Sequence, residues 1–523
     1  MHDILRPAAC LVLLLAMAPA DALGQAEIPI DFVDLPVIGG LADPTNMAFL
    51  PDGRLLVVEQ RTGNVRLIVG NAFAATDPVL TVANVNTQGG ERGLLGVAVD
   101  PGWPARPYVY VYYDYLLTPN TYLSRFTAIG DLAGTGSGDF TLDPGSRYDV
   151  LTAIPDLSEN HQGGSLRFGK DGMLYVASGD DGDACTAQRK ETLTGKILRL
   201  NVSGLPAGAG GPPPLGLIAA AGNPFAASPD SNARLVWVYG LRNPFSFHID
   251  PLTGHLFIAD VGAASFEELN EATTGGLNFG WPIYEGPWRS TWIVCPDADT
   301  LAGMTPPIYS YERSVEAPAA VNGGTVYRRP PNASTPFPAE YEGNVFVSDL
   351  YGWFLRRLKK NGTSWDLAPA LGQPNPTDWA QTFVWSSDYE VGPDGALWYI
   401  QMWTNYPDPD GQIRRIVSTN PVSVGPVGRD AGVSLAVPWP SPSRGAARIS
   451  FDLDRPRLLR LAIHDLAGRR VRTLVPGEMR GAGAHSEQWD GRADDGTSLP
   501  AGVYLVRLVT GDTVRSRRLV WLR

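Results

Sequence analysis

The chain repeats one pattern, in which a turn rich in Pro, Asp and Gly is followed by a strand of alternating apolar residues. Five copies share this pattern: residues 49–60 (FLPDGRLLVVEQ), 97–113 (VAVDPGWPARPYVYVYY), 167–180 (RFGKDGMLYVASGD), 248–262 (HIDPLTGHLFIADVG) and 390–401 (EVGPDGALWYIQ). A degenerate sixth copy covers residues 339–358. Each copy is typical of a β-hairpin. Hairpins at unequal spacing, without helical periodicity, predict an all-β fold and a β-propeller of six blades.

Two further segments differ from this repetition. Residues 202–222 (VSGLPAGAGGPPPLGLIAAAG) are of low complexity and predict a surface loop. After residues 418–432 the chain alternates strands and turns on the scale of a small immunoglobulin-like β-sandwich. We therefore predict four regions along the chain: a signal peptide at 1–24, the propeller at 25–420, a linker at 421–432 and the sandwich at 433–523.

The amino terminus has the pattern of a secretory signal. One arginine precedes a short apolar run, residues 11–17, and small residues follow with a plausible cleavage point at Ala22-Leu23-Gly24. The run is too short to cross a bilayer, and no other stretch of the sequence is long and apolar enough to do so. We therefore expect an exported chain without a membrane span once the signal is removed.

Composition refines this picture. The 58 glycines and 45 prolines, with only 18% charged residues, favour a turn-rich β protein over a helical bundle. A net charge of −12 argues against nucleic acid or an anionic membrane as the main partner. Removal of the signal leaves Cys185 and Cys295. An oxidising compartment would permit a disulfide between them, but their distance in sequence leads us to expect two separate thiols.

The candidate chemistry centres on His161, in the stretch ENHQGGSLRFGKDGMLYVASGDDGD. Motifs of serine hydrolases, nucleotide hydrolases, dinucleotide-binding proteins and zincins are absent from the sequence. Gly163 and Gly164 follow His161 and would let a ligand or another backbone come close. Asp180 lies at the far end of the same hairpin, where its carboxylate could fix the imidazole tautomer and leave the other nitrogen as a base. The alternative is a loop histidine that packs against glycines.

Several ordered stretches resemble a known family. They are NHQGGSLRFGKDGMLYVASGD, GKILRLNV, VYGLRNPFSFHIDPLTGHLFIADVGAASFEELNEATTGGLNFGWPIYEG and NGGTVYRR. Over residues 36–417 the chain is similar to the soluble quinoprotein glucose/sorbosone (aldose sugar) dehydrogenases. The segments DVG…FEELN and GGTVYRR resemble those of the Hedgehog-interacting-protein-like branch, whose animal members bind partners. The resemblance implies a six-bladed propeller with pyrroloquinoline quinone (PQQ) and Ca²⁺, a sugar substrate and an external electron acceptor.

The resemblance also implies roles for individual residues. His161 would take the proton from the C1 hydroxyl of the sugar while hydride moves to the quinone, and Asp180 would orient this histidine. Arg242 and Asn243, in LRNP, match residues that contact the quinone oxygens, where a guanidinium can stabilise developing negative charge.

The chain matches the family at the implied Ca²⁺ site but departs from it at the positions that bind the cofactor's carboxylates. Gly262 and Ala263 fall where backbone carbonyls hold the Ca²⁺. Four positions depart from the family's glutamine, lysine and paired arginines: Glu91, Tyr351, Trp385 and Ser387. Glu91 would either repel the cofactor's carboxylates or ligate the metal. Five arginines are candidates to replace the missing cations: Arg313, Arg328, Arg329, Arg356 and Arg357.

The tail resembles bacterial C-terminal sorting domains with an FlgD-like immunoglobulin fold. The match rests on PWPSPSRGAARISFDL, LAIHDLAGRRVRTL, AGAHSEQWDGRADDGTSLPAGVYLVRL and SRRLVWLR, within residues 433–523. It implies that the type IX secretion machinery is a partner and that the chain reaches the cell surface or the medium. An accessory sandwich without a targeting role is the alternative. For the whole chain we predict a PQQ-dependent aldose sugar dehydrogenase, with a non-catalytic carbohydrate- or protein-binding propeller and a Ca²⁺-dependent lactonase as alternatives.

Overall fold

The computed structural model describes residues 28–29, 31–290, 295, 303–314, 317–331, 333–370, 373–383, 385–404, 410–419, 433–465, 470–510 and 513–522. The predicted signal peptide and linker lie outside these residues. The helices of the described part are one short α-helix, Leu215–Ile218 in the low-complexity segment, and three 3₁₀ helices, Ala184–Gln188, Ala233–Leu235 and Ala339–Tyr341. None of these is long and apolar enough to span a membrane.

Thirty-five strands make up the rest of the regular structure in the described part. The first is β1 (Phe32–Leu41). Sheet 1 contains β2 (Pro44–Phe49), β3 (Leu55–Glu59), β4 (Asn64–Val69), β5 (Ala72–Phe73) and β6 (Leu80–Thr81). Sheet 2 contains β7 (Leu94–Val99), β8 (Tyr108–Tyr115), β9 (Asn120–Gly130) and β10 (Phe140–Pro155). Sheet 3 contains β11 (Leu166–Phe168), β12 (Leu174–Ser178), β13 (Lys196–Leu200) and β14 (Val236–Tyr239).

The next three sheets continue in chain order. Sheet 4 contains β15 (Ser246–Ile249), β16 (Leu256–Asp260), β17 (Phe266–Ala272) and β20 (Tyr309–Glu312), and the hairpin of β18 (Tyr284–Glu285) and β19 (Trp288–Arg289) precedes β20. Sheet 5 contains β21 (Val321–Val326), β22 (Val345–Asp349), β23 (Phe354–Asn361), β24 (Ser364–Leu367) and β25 (Ala380–Gln381). Sheet 6 contains β26 (Ser386–Val391), β27 (Leu397–Gln401), β28 (Gly411–Ser418) and, as its outer strand, β1.

The six sheets form a closed ring. The first strands of successive sheets contact one another in the order β2, β7, β11, β15, β21, β26 and back to β2. Phe32 of β1 lies opposite Ser418 of β28, so sheet 6 joins the two ends of the ring. At the centre, Asp388 of β26 accepts hydrogen bonds from Asn46 of β2 at 2.8 Å and from Arg167 of β11 at 2.9 Å. Buried charge and amide groups therefore link three sheets across the centre of the ring.

Apolar side chains fill the spaces between neighbouring sheets. Six separate clusters of buried hydrophobic residues lie between the six successive pairs of sheets among the described residues, such as Tyr110 and Val176 between sheets 2 and 3. Strands such as β12 are buried along their whole length because they pack on both faces. Since the strands are antiparallel, the loop before each first strand and the loop after each second strand lie at the same end of the ring.

The C-terminal residues form two more sheets. Sheet 7 contains β29 (Val433–Leu435), β30 (Ala447–Leu453) and β33 (Gly483–Trp489). Sheet 8 contains β31 (Arg457–His464), β32 (Arg470–Arg480), β34 (Gly502–Thr510) and β35 (Thr513–Trp521). Residues of both sheets share one hydrophobic cluster, which includes Trp489 and Val506 and has no member before Val433. This part of the chain therefore has a core of its own.

The expectation of two separate thiols is wrong. Cys185 and Cys295 form a disulfide, with Cα atoms 5.4 Å apart across 110 residues of sequence. Cys185 belongs to the loop after β12 of sheet 3, and Cys295 lies between β19 and β20 in the region of sheet 4. The ring places these two sheets side by side, which the distance along the sequence does not reveal.

Candidate active site

The predicted base and its carboxylate are in direct contact. Nδ1 of His161 lies 2.6 Å from Oδ1 of Asp180. The Asp180 side chain is 2% exposed and also accepts hydrogen bonds from the indole N–H of Trp281 at 2.8 Å and the backbone N–H of Gly182 at 2.9 Å. These donors fix the carboxylate, which in turn holds Nδ1 of the imidazole as a donor. Nε2 is then the acceptor nitrogen, and it has no hydrogen-bond partner within the described part of the chain.

Glycines near His161 make room for backbone. His161 itself has φ +71°, in the left-handed region. A Cβ at Gly179 would lie 2.0 Å from the carbonyl oxygen of His161, and a Cβ at Gly163 would lie 2.7 Å from that of Ala177. Only glycine allows the histidine segment to lie this close to the end of β12. The sequence allowed either a ligand or another backbone segment to approach the glycines after His161. The structure shows that a backbone segment does so.

Glu91 supports the same segment. Its Oε2 accepts a hydrogen bond from the backbone N–H of His161 at 2.7 Å and another from Nδ2 of Asn243 at 3.1 Å. The amide oxygen of Asn243 accepts from the backbone N–H of Gly163 at 3.1 Å. Glu91 and Asn243 therefore hold the left-handed backbone of the histidine in place from two sides.

A buried carboxylate at the end of β16 positions the loop that carries Arg242 and Asn243. Both backbone N–H groups donate to Asp260, at 3.0 Å and 2.7 Å. Burial, and then the negative charge of Glu268, raise the pKa of Asp260 well above its ordinary value. The carbonyl oxygen of Arg242 accepts from the backbone N–H of Asp180 at 2.7 Å, so this loop also contacts the base pair.

The guanidinium of Arg242 is fixed by two backbone carbonyls and lies near the tryptophan that binds Asp180. Its Nη1 donates to the carbonyl oxygens of Val261 at 2.9 Å and Gly262 at 2.7 Å. Its central carbon lies 5.5 Å from the ring centre of Trp281, the residue that also binds Asp180. Nη2 makes no hydrogen bond within the described residues, so this nitrogen can donate to an oxygen of a ligand.

The predicted Ca²⁺ site does not match the geometry around Gly262. Its carbonyl oxygen accepts hydrogen bonds from two guanidinium groups, those of Arg242 and, at 3.2 Å, Arg313. A cation bound to this oxygen would face two positive charges at short range. The backbone N–H of Ala263 and the next three N–H groups all donate to Oε1 of Glu285. The described residues contain no group of three or more His, Cys, Asp or Glu side chains suited to a metal ion.

Two family models match the chain. Residues 41–403 match the family model for glucose / sorbosone dehydrogenase, and residues 440–513 match the FlgD Ig-like domain. The chain belongs to the glucose/sorbosone dehydrogenase family. The first match covers most of the ring, and the second covers most of the C-terminal unit.

Individual members of the glucose/sorbosone dehydrogenase family cover the chain to different extents. The HIPL2 protein of Arabidopsis thaliana is 34% identical over 250 residues, which are 44% of this chain and 34% of HIPL2. The chain therefore spans only a third of that relative's length. Aldose sugar dehydrogenase YliI of Escherichia coli is 28% identical over 406 residues, 75% of this chain and 94% of YliI. The PQQ-bound aldose sugar dehydrogenase of Streptomyces coelicolor has the same fold, with a TM-score of 0.52, 24% identity and coverage of 75% and 99%.

Aromatic and neutral side chains occupy the positions where the resemblance implies cations. The rings of Tyr351 and Trp385 lie 5.4 Å apart, and Trp385 lies 5.2 Å from Trp403. Ser387 is buried and donates to the carbonyl oxygen of Pro44 at 2.9 Å. These positions therefore carry aromatic or hydroxyl side chains in place of ammonium and guanidinium groups.

Arg313 is the member of the five candidate arginines that reaches the site. Its Nη1 donates to Gly262 and pairs with the buried carboxylate of Glu267. Burial, and then the positive charge of Arg242, lower the pKa of Arg313. The other four arginines bind partners elsewhere in the described residues, namely Arg328 to Asp250, Arg329 to Phe337, Arg356 to Asp378 and Arg357 to Ala368.

Three residues that the sequence did not single out complete the site. Trp281 bridges Asp180 and Arg242, Asp260 holds the Arg242 loop, and Glu285 binds four consecutive N–H groups. All three lie in residues 238–286, a stretch that resembled the family as a whole and so carried a signal. Nothing in the local pattern distinguished Asp260, which ends a buried strand, from other aspartates.

Proposed function

We propose that the ring of six sheets is a six-bladed β-propeller with the activity of a PQQ-dependent aldose sugar dehydrogenase. The observation that carries this proposal is the contact of His161 with Asp180, whose carboxylate is bound by Trp281, the ring near the fixed guanidinium of Arg242. The activities named for relatives of the family support the same assignment. The closed ring of first strands supports the number of blades.

The residues provide base catalysis at an alcohol. Oxidation at C1 of an aldose removes a proton from the hydroxyl oxygen and a hydride from the carbon. Nε2 of His161 takes the proton, and Asp180 orients the ring and stabilises the imidazolium that forms. Positioned base catalysis of this kind contributes about 10²–10⁴-fold to the rate.

The donor set at this end of the site fits a quinone cofactor. Nη2 of Arg242 and the amide of Asn243 would hold carbonyl oxygens, because a guanidinium and an amide donate to such oxygens. When bound there, PQQ supplies the hydride acceptor, and an external electron acceptor then regenerates it. Arg313 would face the cofactor's carboxylates. Ca²⁺ has no part in this proposal, because the carbonyl oxygen of Gly262 accepts from two guanidinium groups.

We further propose that the chain is exported through the periplasm and displayed or released outside the cell. The predicted signal peptide and the FlgD Ig-like match at 440–513 support this, with the C-terminal unit as an immunoglobulin-like sandwich that addresses the chain to the type IX secretion machinery. The disulfide between Cys185 and Cys295 supports an oxidising compartment. The acidic net charge of −12 gives no support to a nucleic-acid partner.

Reconstitution tests the activity. Purified protein is loaded with PQQ, with and without Ca²⁺, and dye reduction is measured over a set of aldoses. We expect His161→Ala to reduce the rate by about 10²–10⁴-fold. His255→Ala is the matched control, since His255 also pairs with a carboxylate, Glu271 at 2.9 Å, but lies outside the site. The control should keep the wild-type rate.

Three results would contradict the proposal. Unchanged dye reduction by the His161→Ala variant at normal PQQ loading would remove His161 from the reaction. No PQQ binding by the wild type would favour a propeller that only binds its ligand. Lactone hydrolysis without sugar oxidation would favour a lactonase.

A further inference from the structure

A cavity opens between sheets 4 and 5, at the same end of the ring as His161. Its volume of about 430 Å³ lies within the range of roughly 300–1,000 Å³ that is typical of small-molecule sites. Arg313 joins it to the candidate active site, because the same Nη1 donates to Gly262 and, at 2.9 Å, to the carbonyl oxygen of Ala319 in the cavity wall. Arg313 therefore connects the loop of Gly262 with one wall of this cavity.

One wall of this cavity is an exposed tryptophan. The Trp353 side chain is 47% exposed and its backbone has φ +57°, a left-handed conformation that a bulky residue rarely adopts. The backbone is held by a hydrogen bond from the N–H of Phe383 to the carbonyl oxygen of Trp353, at 3.3 Å. An uncommon backbone conformation that presents a large aromatic face to solvent motivates a functional assignment.

Three polar side chains of the cavity are each held by a hydrogen bond and keep a second donor or acceptor atom without a partner in the described residues. Asp378 holds Nε of Arg356 at 2.9 Å and Nε2 of Gln381 at 3.1 Å, and Thr377 donates to Oδ1 of Asn375. Nη2 of Arg356, Oε1 of Gln381 and Nδ2 of Asn375 make no hydrogen bond within the described part of the chain. The cavity thus presents two donors and one acceptor that are already oriented.

We propose that this cavity is a subsite for one ring of a neutral oligosaccharide whose reducing end reaches His161. The face of Trp353 packs against the C–H face of a sugar ring, and the three oriented groups bind its hydroxyls. Acidic side chains of the lining, Glu312, Asp349 and Asp378, outnumber Arg356, which disfavours sugar acids. The inference rests on the proposed function, and it names the substrate class as reducing oligosaccharides.

The test separates binding from oxidation. Calorimetry with cellotetraose and with maltotetraose, without PQQ, measures the subsite directly, and dye reduction with glucose and with the better tetrasaccharide measures its use. We expect Trp353→Ala to weaken tetrasaccharide binding about tenfold or more and to lower kcat/KM for the tetrasaccharide similarly. The glucose rate should stay unchanged. Trp353→Phe, which keeps an aromatic face, should retain most of the affinity.

Two controls keep the outcomes distinct. Trp439→Ala removes another exposed tryptophan, 76% exposed and far along the chain, and should bind the tetrasaccharide as the wild type does. His161→Ala should bind it normally while oxidation is lost. If the wild type binds the tetrasaccharide but oxidises no sugar, the result contradicts the proposed function and still supports the subsite. Glucose oxidation without any tetrasaccharide binding, or equal binding by Trp353→Ala, would overturn the subsite.

Discussion

Glu91 shows that a departure from the family can still serve the site. The sequence offered two roles for its charge, repulsion of the cofactor or ligation of a metal. The structure shows a third, since Oε2 binds the backbone N–H of His161 and the side chain of Asn243. A carboxylate in this position stabilises a left-handed backbone that would otherwise be unfavourable.

We expect Glu91→Gln and Glu91→Ala to behave differently. The amide oxygen of glutamine can accept both hydrogen bonds, so Glu91→Gln should keep kcat/KM within about threefold of the wild type. Alanine leaves two donors unpaired, at a cost of about 1–3 kcal/mol each, and should lower kcat/KM about tenfold or more. Dye-linked kinetics and PQQ titration of the three proteins measure this. Much tighter PQQ binding by the Gln variant would show that repulsion dominates, and full activity of the Ala variant would end the positioning role.

At the scale of an element, β8 carries an acidic group into the interior. Asp114 is fully buried and accepts hydrogen bonds from the backbone N–H of Gly93 at 3.0 Å and the hydroxyl of Thr121 at 2.6 Å. Burial, and then the charge of Asp156, raise the pKa of Asp114 to about 8. Between about pH 4, the unfolded value, and pH 8 the folded state therefore holds a proton that the unfolded state has lost.

This difference predicts the sign of the pH dependence. The contribution of Asp114 to stability is fully present below about pH 4 and is lost as the pH rises to about 8. We expect the wild type to lose more than about 1 kcal/mol of unfolding free energy between pH 5 and pH 8 through this group. Denaturant titrations at several pH values should show a smaller loss for Asp114→Asn, since an amide does not ionise. An unchanged slope in the variant would contradict the assignment.

Asp250 supplies a control of opposite sign. Burial acts against ionisation, but the hydrogen bonds from Arg328 outweigh it and lower the pKa of Asp250 to about 2. Its contribution to stability is present above about pH 4 and is lost as the pH falls towards 2. Asp250→Asn should therefore change the acidic side of the stability profile and leave the slope between pH 5 and pH 8 as in the wild type.

For the molecule as a whole, the sequence predicted the hairpins but missed contacts between loops that become neighbours when the ring closes. Alternating strands after Asp-Gly turns predicted the hairpins. The hairpin and the resemblance together placed Asp180 near His161, and the two side chains lie in contact at 2.6 Å. The pairing of Cys185 with Cys295 and the two guanidinium groups on Gly262 were missed. These contacts join sheets 3 and 4, or separate segments of sheet 4, and no local pattern encodes which loops meet when a ring closes.

The C-terminal unit has a separate core. Its hydrophobic cluster draws all its members from Val433 to Trp521, and the six clusters of the ring include none of them. Two cores with no shared residue are typical of domains that fold independently. The segment between them, residues 420–432, lies outside the described residues.

Deletion of residues 433–523 tests whether the propeller folds independently and whether the C-terminal unit directs export. The truncated protein should keep the thermal transition of the propeller within about 2 °C and keep any sugar oxidation, because the six clusters of the ring remain complete. Calorimetry should show that a separate transition of the full chain is lost. In native cells the truncated protein should stay in the periplasm, whereas the full chain leaves it, as fractionation would show. Export of the truncated protein would remove the sorting role, and loss of the propeller transition would show that the two cores depend on each other.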